Sequence, residues 1–247
     1  MTSVTTSDSY RSSVATIGVL FFIFGFVTWL NGPLITFVKL AFDLDTDAKA
    51  FLVTTAFFMA YFFLALPASR ILLLTGMKKG MALGLGVMAV GTIVFGTFAT
   101  ARNYPACLAG LFTIGSGLSL LQTASNPYIS ILGPIESAAA RISVMGICNK
   151  LAGMLSPIVF GMLVMKDVDH FEAKVAAAAT PEIRTELLNQ FAASVYWPYM
   201  TMALVLVALA VWILKSPLPE IRASEANAAS NADGRTSIFQ FPHLWLG

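Results

Sequence analysis

Six stretches of this chain, at roughly 13–41, 48–74, 79–101, 104–132, 139–165 and 194–214, are apolar for long enough to cross a lipid bilayer as helices. A helix rises ~1.5 Å per residue and bilayer hydrocarbon is ~30 Å thick, so about 20 such residues suffice. Within hydrocarbon every backbone N–H and C=O must find its partner inside the segment, which leaves the helix as the solution for runs of this kind. The chain therefore reads as an all-α membrane protein. Composition agrees: 57% of residues are hydrophobic and 11% are charged, where a soluble domain carries about 25% charged residues. Mean hydropathy is +0.78.

Several function classes fall away on the same reading. A net charge of +2, spread along the chain without a basic cluster, gives no footprint for nucleic acid. Cys107 and Cys148 lie within apolar runs with no His or carboxylate beside them, so they read as buried thiols and not as a disulfide or a metal site. No metal or cofactor is expected. Nor is an enzyme, because no Ser/His, acid/His or metal-ligand set is present and both histidines, His170 and His243, lie outside the six spans.

The connections give boundaries and orientation. Asp43, Asp45, Thr46 and Asp47 offer N-cap oxygens for the second span. Residues 166–193 form a longer loop in which EAKVAAAA and PEIRTELLNQF, the latter with Pro181 at a start position, either are surface helices or remain a plain solvated loop. Arg11, Arg70, Lys78, Lys79, Arg141, Lys215, Arg222 and Arg235 fall on one side; Lys39, Lys49, Arg102, Lys166, Lys174 and Arg184 fall on the other, with most of the acids. The excess of cations places the N-terminus in the cytoplasm. The expected organisation is a polar tail at 1–12, a six-helix bundle at 13–214, a cytoplasmic linker at 215–239, poorly ordered over Ser216–Ser237, and the start of a seventh helix at 240–247. The leader lacks a small-residue cleavage site after the first apolar run, so that run is expected to be a retained helix. The final apolar stretch is too short to span, and the chain looks cut short there.

Polar residues at membrane depth point to function, because an amide in hydrocarbon needs a partner or water. Gln122, Thr123, Ser125, Asn126 and Pro127 interrupt the fourth span. Gln122 and Asn126 are four apart and share one helical face, either as interhelical glue or as contacts for a solute. Asn31-Gly32-Pro33 breaks the first span, where Pro33 releases a backbone carbonyl; a packed kink is the plainer role. Asn149 and Lys150 lie about 15 Å along the fifth span, and a lysine so deep is costly unless it snorkels or meets an acid. Trp29 and Tyr128 are candidates to stack on a sugar ring, or else pack. Gly80, Gly84, Gly91, Gly96, Gly115, Gly117, Gly153 and Gly161 read as close-packing positions.

Five ordered blocks resemble a known family: FFIFGFVTWLNGPLITFVKLAFDL, LPASRILLLTGMKKG, GLSLLQTASNPYISILGP, RISVMGICNKLAG and YWPYM. They are similar to the N-terminal half of the fucose permease group of the major facilitator superfamily, closest to its glucose/galactose branch. The resemblance implies a six-helix half built as two inverted three-helix repeats, with sugar bound at the midplane against a C-terminal six-helix half. It implies a multi-pass protein of the cytoplasmic (inner) membrane and secondary active transport of a neutral hexose.

On that resemblance Asn31, Gln122, Asn126 and Asn149 are the candidate substrate contacts, and Gln122, Thr123 and Lys150 the candidate coupling residues. The proton-coupled members carry a carboxylate after the Leu-Asn pair of the first helix and another before Thr-Ala in the fourth. Here those positions are Gly32 and Gln122, which take up no proton, so sodium or passive movement is expected in place of proton symport. The charged loop between the second and third spans retains Arg70, Lys78 and Lys79 but no acid. The alternatives are transport of a related sugar, fucose or N-acetylglucosamine, and a truncated membrane protein that does not transport.

Overall fold

The structure, a computed structural model, describes residues 7–166 and 168–221. Its elements are α1 (Ser7–Trp29), α2 (Asn31–Ala41), α3 (Asp47–Thr75), α4 (Met77–Thr100), α5 (Tyr104–Ile131), α6 (Ala138–Leu163), α7 (Val168–Ala176), α8 (Pro181–Ala193) and α9 (Tyr196–Lys215), with a short 3₁₀ turn at Ile135–Ser137. Among the described residues, six helical segments are long and apolar enough to cross a membrane. These are α1 with α2, then α3, α4, α5, α6 and α9. The first span is divided at Leu30 alone, where Pro33 withdraws one amide from the ladder while Leu30 N and Leu34 N still donate to Phe26 O and Leu30 O at 3.2 and 3.1 Å.

The helices fall into two triplets, α1–α2/α3/α4 and α5/α6/α9. The second helix of each packs on the first helix of the other, α3 on α5 and α6 on α1, while the third helices, α4 and α9, pack together. Two inverted repeats produce this reciprocal exchange. Proline follows the same pattern: Pro33 and Pro127 lie in the first members, Pro67 and Pro157 in the second.

Glycine sets how closely the helices approach. A Cβ at Gly91 would lie 2.6 Å from Ile114 N, one at Gly110 2.8 Å from Phe95 N, and one at Gly84 2.7 Å from Gly117 O. The α4–α5 seam is therefore backbone against backbone. Gly115 faces the α3 backbone at Phe57, Gly25 the α6 backbone 2.6 Å away at Asn149, and Gly96 the side chains of Tyr199 and Met200 on α9. Gly161, by contrast, has nothing within 4 Å. It contributes no close contact.

Outward faces are apolar, as lipid requires. Phe62, Leu66 and Leu74 on α3 are 78%, 80% and 89% exposed. The 166–193 loop is helical rather than plain. Thr180 caps α8 by accepting from Ile183 N at 3.4 Å, with Pro181 in the first turn, and Phe191 packs on Phe37 and Phe171. Arg184 grips Asp43 with both terminal nitrogens, and its guanidinium holds the Asp43 carboxyl below the usual carboxylate range. That pair ties α8 to the α2–α3 corner, where Asp43 itself takes a left-handed φ of 52°. Thr46 caps α3 as expected, accepting from Lys49 N.

Two boundaries differ from the sequence reading. Helix α1 begins at Ser7, inside the expected polar tail. Residues 216–221 are packed rather than loose, with Leu218 3% exposed and Ser216 8% exposed, because their carbonyls meet donors on α4 and α5. The rest of the linker and the 240–247 stretch lie outside the described residues.

At the C-terminal end of α5, Arg141 is 5% exposed and has no acid for a partner among the described residues. Its Nε donates to Ile129 O at 2.9 Å, Nη2 to Ser130 O at 2.9 Å, and Nη1 to Pro134 O and Ser137 Oγ at 3.0 and 2.6 Å. The planar fork thus closes the carbonyl end of α5, where a helix dipole favours a cation.

Arg141→Lys is expected to destabilise the chain by on the order of 3 kcal/mol, because one ammonium cannot serve four acceptors in the guanidinium plane. Unfolding in detergent reads this directly; an unchanged midpoint would show that the fork is dispensable. Gly117→Ala puts a methyl 2.6 Å from Met88 N and is expected to cost roughly 1–3 kcal/mol. Gly86→Ala, with nothing within 4 Å, should be neutral or gain up to about 1 kcal/mol from helix propensity. Equal shifts for the two glycines would contradict the seam.

Candidate functional site

The polar turn of α5 is half open. Leu121, Ala124, Ser125 and Tyr128 are buried in the bundle, whereas Gln122 and Thr123 are partly exposed and Asn126 and Pro127 exposed. Thr123 Oγ1 donates to Ser119 O at 2.8 Å. Neither the Gln122 nor the Asn126 side chain has a hydrogen-bond partner among the described residues. Pro127 brings no amide hydrogen, so the Thr123 carbonyl is released from the ladder beside them. One short arc therefore offers two amides, each able to donate and accept, with a free carbonyl between them.

A second open arc lies on α1 and α6, both of which touch α5. Gly153 gives the Trp29 ring room against α6, since a Cβ there would lie 2.7 Å from Trp29 Cδ1. The Lys150 ammonium stands over that ring, 5.1 Å from its centroid. This cation–π contact gives a mid-membrane lysine an uncharged partner. Pro157 releases the Gly153 carbonyl. Asn149 turns toward α1, where its Nδ2 donates weakly to Phe21 O at 3.4 Å, and Ser156 Oγ donates to Phe26 O at 2.8 Å.

Two residues singled out in the sequence lie elsewhere. Asn31 is 6% exposed; its Nδ2 donates to Thr28 O at 3.0 Å, and its Oδ1 is buried without a partner. It lines a void of about 10 Å³ with Phe57, Leu111, Ile114 and Tyr199, inside the half's own bundle. Gly32 and Trp29 are the exposed parts of that break. Tyr128 is 0% exposed, and its hydroxyl donates to Pro219 O at 2.9 Å. It cannot stack on a sugar ring from there.

A cavity of about 460 Å³ lies between α1, α6 and α9 and is lined by side chains such as Phe22, Phe26, Phe160 and Met202, with the hydroxyls of Tyr199 and Thr201 but no Asp, Glu, His, Lys or Arg. Its chemistry suits hydrocarbon and not a polyol. Among the described residues no cluster of three or more His, Cys, Asp or Glu converges. Arg141 is the site-supporting residue that sequence reasoning missed, and the hydrogen bond from Ser156 to α1 goes beyond the close packing its small side chain suggests. An arginine at a span end signals orientation first, and a serine in a span gives no direction until its neighbour is placed.

Comparison with known proteins agrees with this geometry. The Major Facilitator Superfamily model matches residues 17–246. The chain is 32% identical over 246 residues to a glucose/galactose transporter of Brucella abortus, covering 100% of this chain and 55% of that protein. It is 30% identical over 239 residues to the L-fucose-proton symporter of Escherichia coli, covering 96% and 54%. Among solved structures, a superfamily transporter in the outward conformation superposes with a TM-score of 0.75 at 30% identity, over 86% of this chain and 51% of that one. A variant of the Escherichia coli fucose:proton symporter gives 0.73 at 28%, over 85% and 50%. The chain spans about half the length of the relatives it matches. With its two inverted helix triplets and a family match over nearly its whole length, the chain belongs to the Major Facilitator Superfamily.

Proposed function

We propose that this chain forms the N-terminal half of a secondary active transporter that moves a neutral hexose across the cytoplasmic membrane by alternating access, working with a C-terminal six-helix half. The observation that carries the reading is the α5 turn, where the amides of Gln122 and Asn126 stay open and without a described partner directly after the buried run from Ile114 to Leu121. Similarity to glucose/galactose transporters supports the choice of sugar class. Hydroxyl-rich, uncharged ligands suit amides and released carbonyls, each of which exchanges hydrogen bonds with water for hydrogen bonds with the sugar. Asn149, already turned toward α1, joins the site from the α6 side, and Trp29 offers an apolar face. Asn31 acts from within, at the break of the first span.

The reading extends to coupling. Gly32 and Gln122 occupy the places where proton-coupled relatives of the fucose group carry carboxylates, so neither the first span at 13–41 nor the fourth at 104–132 holds a carboxylate to take up a proton. Sodium, for which carbonyl, amide and hydroxyl oxygens are suitable neutral ligands, or passive movement takes the place of proton symport. Gln122 and Thr123 would supply such oxygens, and Lys150 is the remaining ionisable group near the midplane. A transport-incompetent half has no specific structural observation in its favour.

Uptake of labelled galactose into proteoliposomes holding both halves tests this. A sodium gradient, or the sugar gradient alone, should drive uptake, and Gln122→Ala or Asn126→Ala should lower it at least tenfold, the loss of about one charge-free hydrogen-bonded contact or two. Accumulation that follows a pH gradient without sodium and disappears in Lys150→Met would overturn the coupling. Unchanged uptake in both amide variants would overturn the site.

A further inference from the structure

The turn between α3 and α4 has three cations near it, Arg70, Lys78 and Lys79, and no acid in its own sequence. An acid reaches it from beyond α9. After Lys215 the chain doubles back over residues 216–221, and Glu220 Oε1 accepts from Lys78 N at 3.1 Å. Ile221 O accepts from Met77 N at 3.1 Å, and Ser216 O accepts from Lys78 Nζ at 2.8 Å. On the other side Pro219 O accepts from the Tyr128 hydroxyl at 2.9 Å. These contacts join three elements that are far apart in sequence: the end of α9, the start of α4 and the last turns of α5.

The chemistry of the segment fits this role. Pro217 and Pro219 have no N–H and favour extended backbone around them, so the segment presents mainly acceptors. The first turn of a helix presents unsatisfied donors and a positive dipole end. Helix α4 has no side-chain cap of its own: its N-cap is Gly76, at φ 81°. A Cβ at Gly76 would collide with the Glu220 carboxylate, so the carboxylate occupies the space a side chain would fill. On α5, Tyr128 directly follows Pro127, where the backbone ladder is interrupted, and lies two residues from Asn126.

We propose that residues 216–221 are a clasp that fixes the α5 polar turn against α4, with Glu220 and Tyr128 as positioning residues for sugar binding. This rests on the reading of that turn as a sugar contact. Glu220 closes the clasp on α4, and the Tyr128–Pro219 hydrogen bond holds α5 where proline has weakened it. Residues 216–221 accordingly stay against α4 and α5 beyond the end of α9.

Two readouts separate the clasp from the transport reading. In amide exchange of the full chain, Met77 and Lys78 should be protected. Glu220→Ala should speed Lys78 exchange at least tenfold, and Glu220→Gln, which retains an acceptor oxygen, should restore most of the protection. In proteoliposomes holding both halves, Tyr128→Phe, which keeps the packed ring, should raise KM for galactose severalfold with little change in maximal rate. Unchanged Lys78 exchange in Glu220→Ala would overturn the clasp. Faster exchange with an unaltered KM in Tyr128→Phe would overturn the positioning role. If the unaltered protein moves no sugar, the transport reading fails, and the exchange result alone decides whether the clasp exists.

Discussion

Close approach of the α4 and α5 backbones is the constraint on which the rest of this half depends. In lipid there is no hydrophobic gain from bringing two apolar helices together, so association relies on packing at short range and on hydrogen bonds. Gly84, Gly91, Gly110 and Gly117 remove the side chains that would hold α4 and α5 apart. With α5 seated so deeply, its Gly115 side reaches the α3 backbone at Phe57. The single open arc left to it carries Gln122 and Asn126. A polar turn at membrane depth is tolerable in that setting because the helix directly after it is anchored, by the Arg141 fork on the carbonyls of Ile129 and Ser130 and by Tyr128 on Pro219.

The two triplets share a plan and differ in detail. Each has a proline in its first and second helices, and each uses its second helix to reach the other triplet. Prolines here release the carbonyls of Trp29 on α1, Gly153 on α6 and Thr123 on α5. Small residues and serine set the α1–α6 distance, through Gly25 against Asn149 and Ser156 on Phe26 O. Where α9 meets α1 there is no glycine on α9, and an apolar cavity of about 460 Å³ remains between them and α6. Rigid seams and a loose flank suit the proposed rocking of this half against a second one, in which each body would keep its own packing.

Much of the fold was legible in the residues because hydrocarbon leaves few choices. The length of an apolar run settles a span, and local chemistry settles its start, as at Thr46 and at Thr180-Pro181. That Gln122 and Asn126 share a face followed from their spacing of one helical turn, whereas its openness depends on how the neighbouring helices pack. Direction was harder to read where a break intervenes: the proline at 33 signals a kink but does not say that Asn31 turns into the bundle while Gly32 turns out. Tyr128 stayed open between stacking on a sugar and packing because its partner, the carbonyl of Pro219, comes from a segment 91 residues away. The order of residues 216–221 was hidden for the same reason, since Ser, Pro and charge mark a linker unless tertiary donors claim its carbonyls.

Chemical access to the α5 turn tests the central claim most directly, which is that this turn lines a water-filled sugar path. Asn126→Cys, in a transporter holding both halves and with Cys107 and Cys148 replaced, would be labelled with a membrane-impermeant thiol reagent in the presence and absence of galactose. Labelling that is readily detected and slowed severalfold by galactose, but not by mannitol, is the predicted result. A cysteine at this position that stays unlabelled, or whose labelling is indifferent to sugar, would place the turn in protein or lipid and contradict the account.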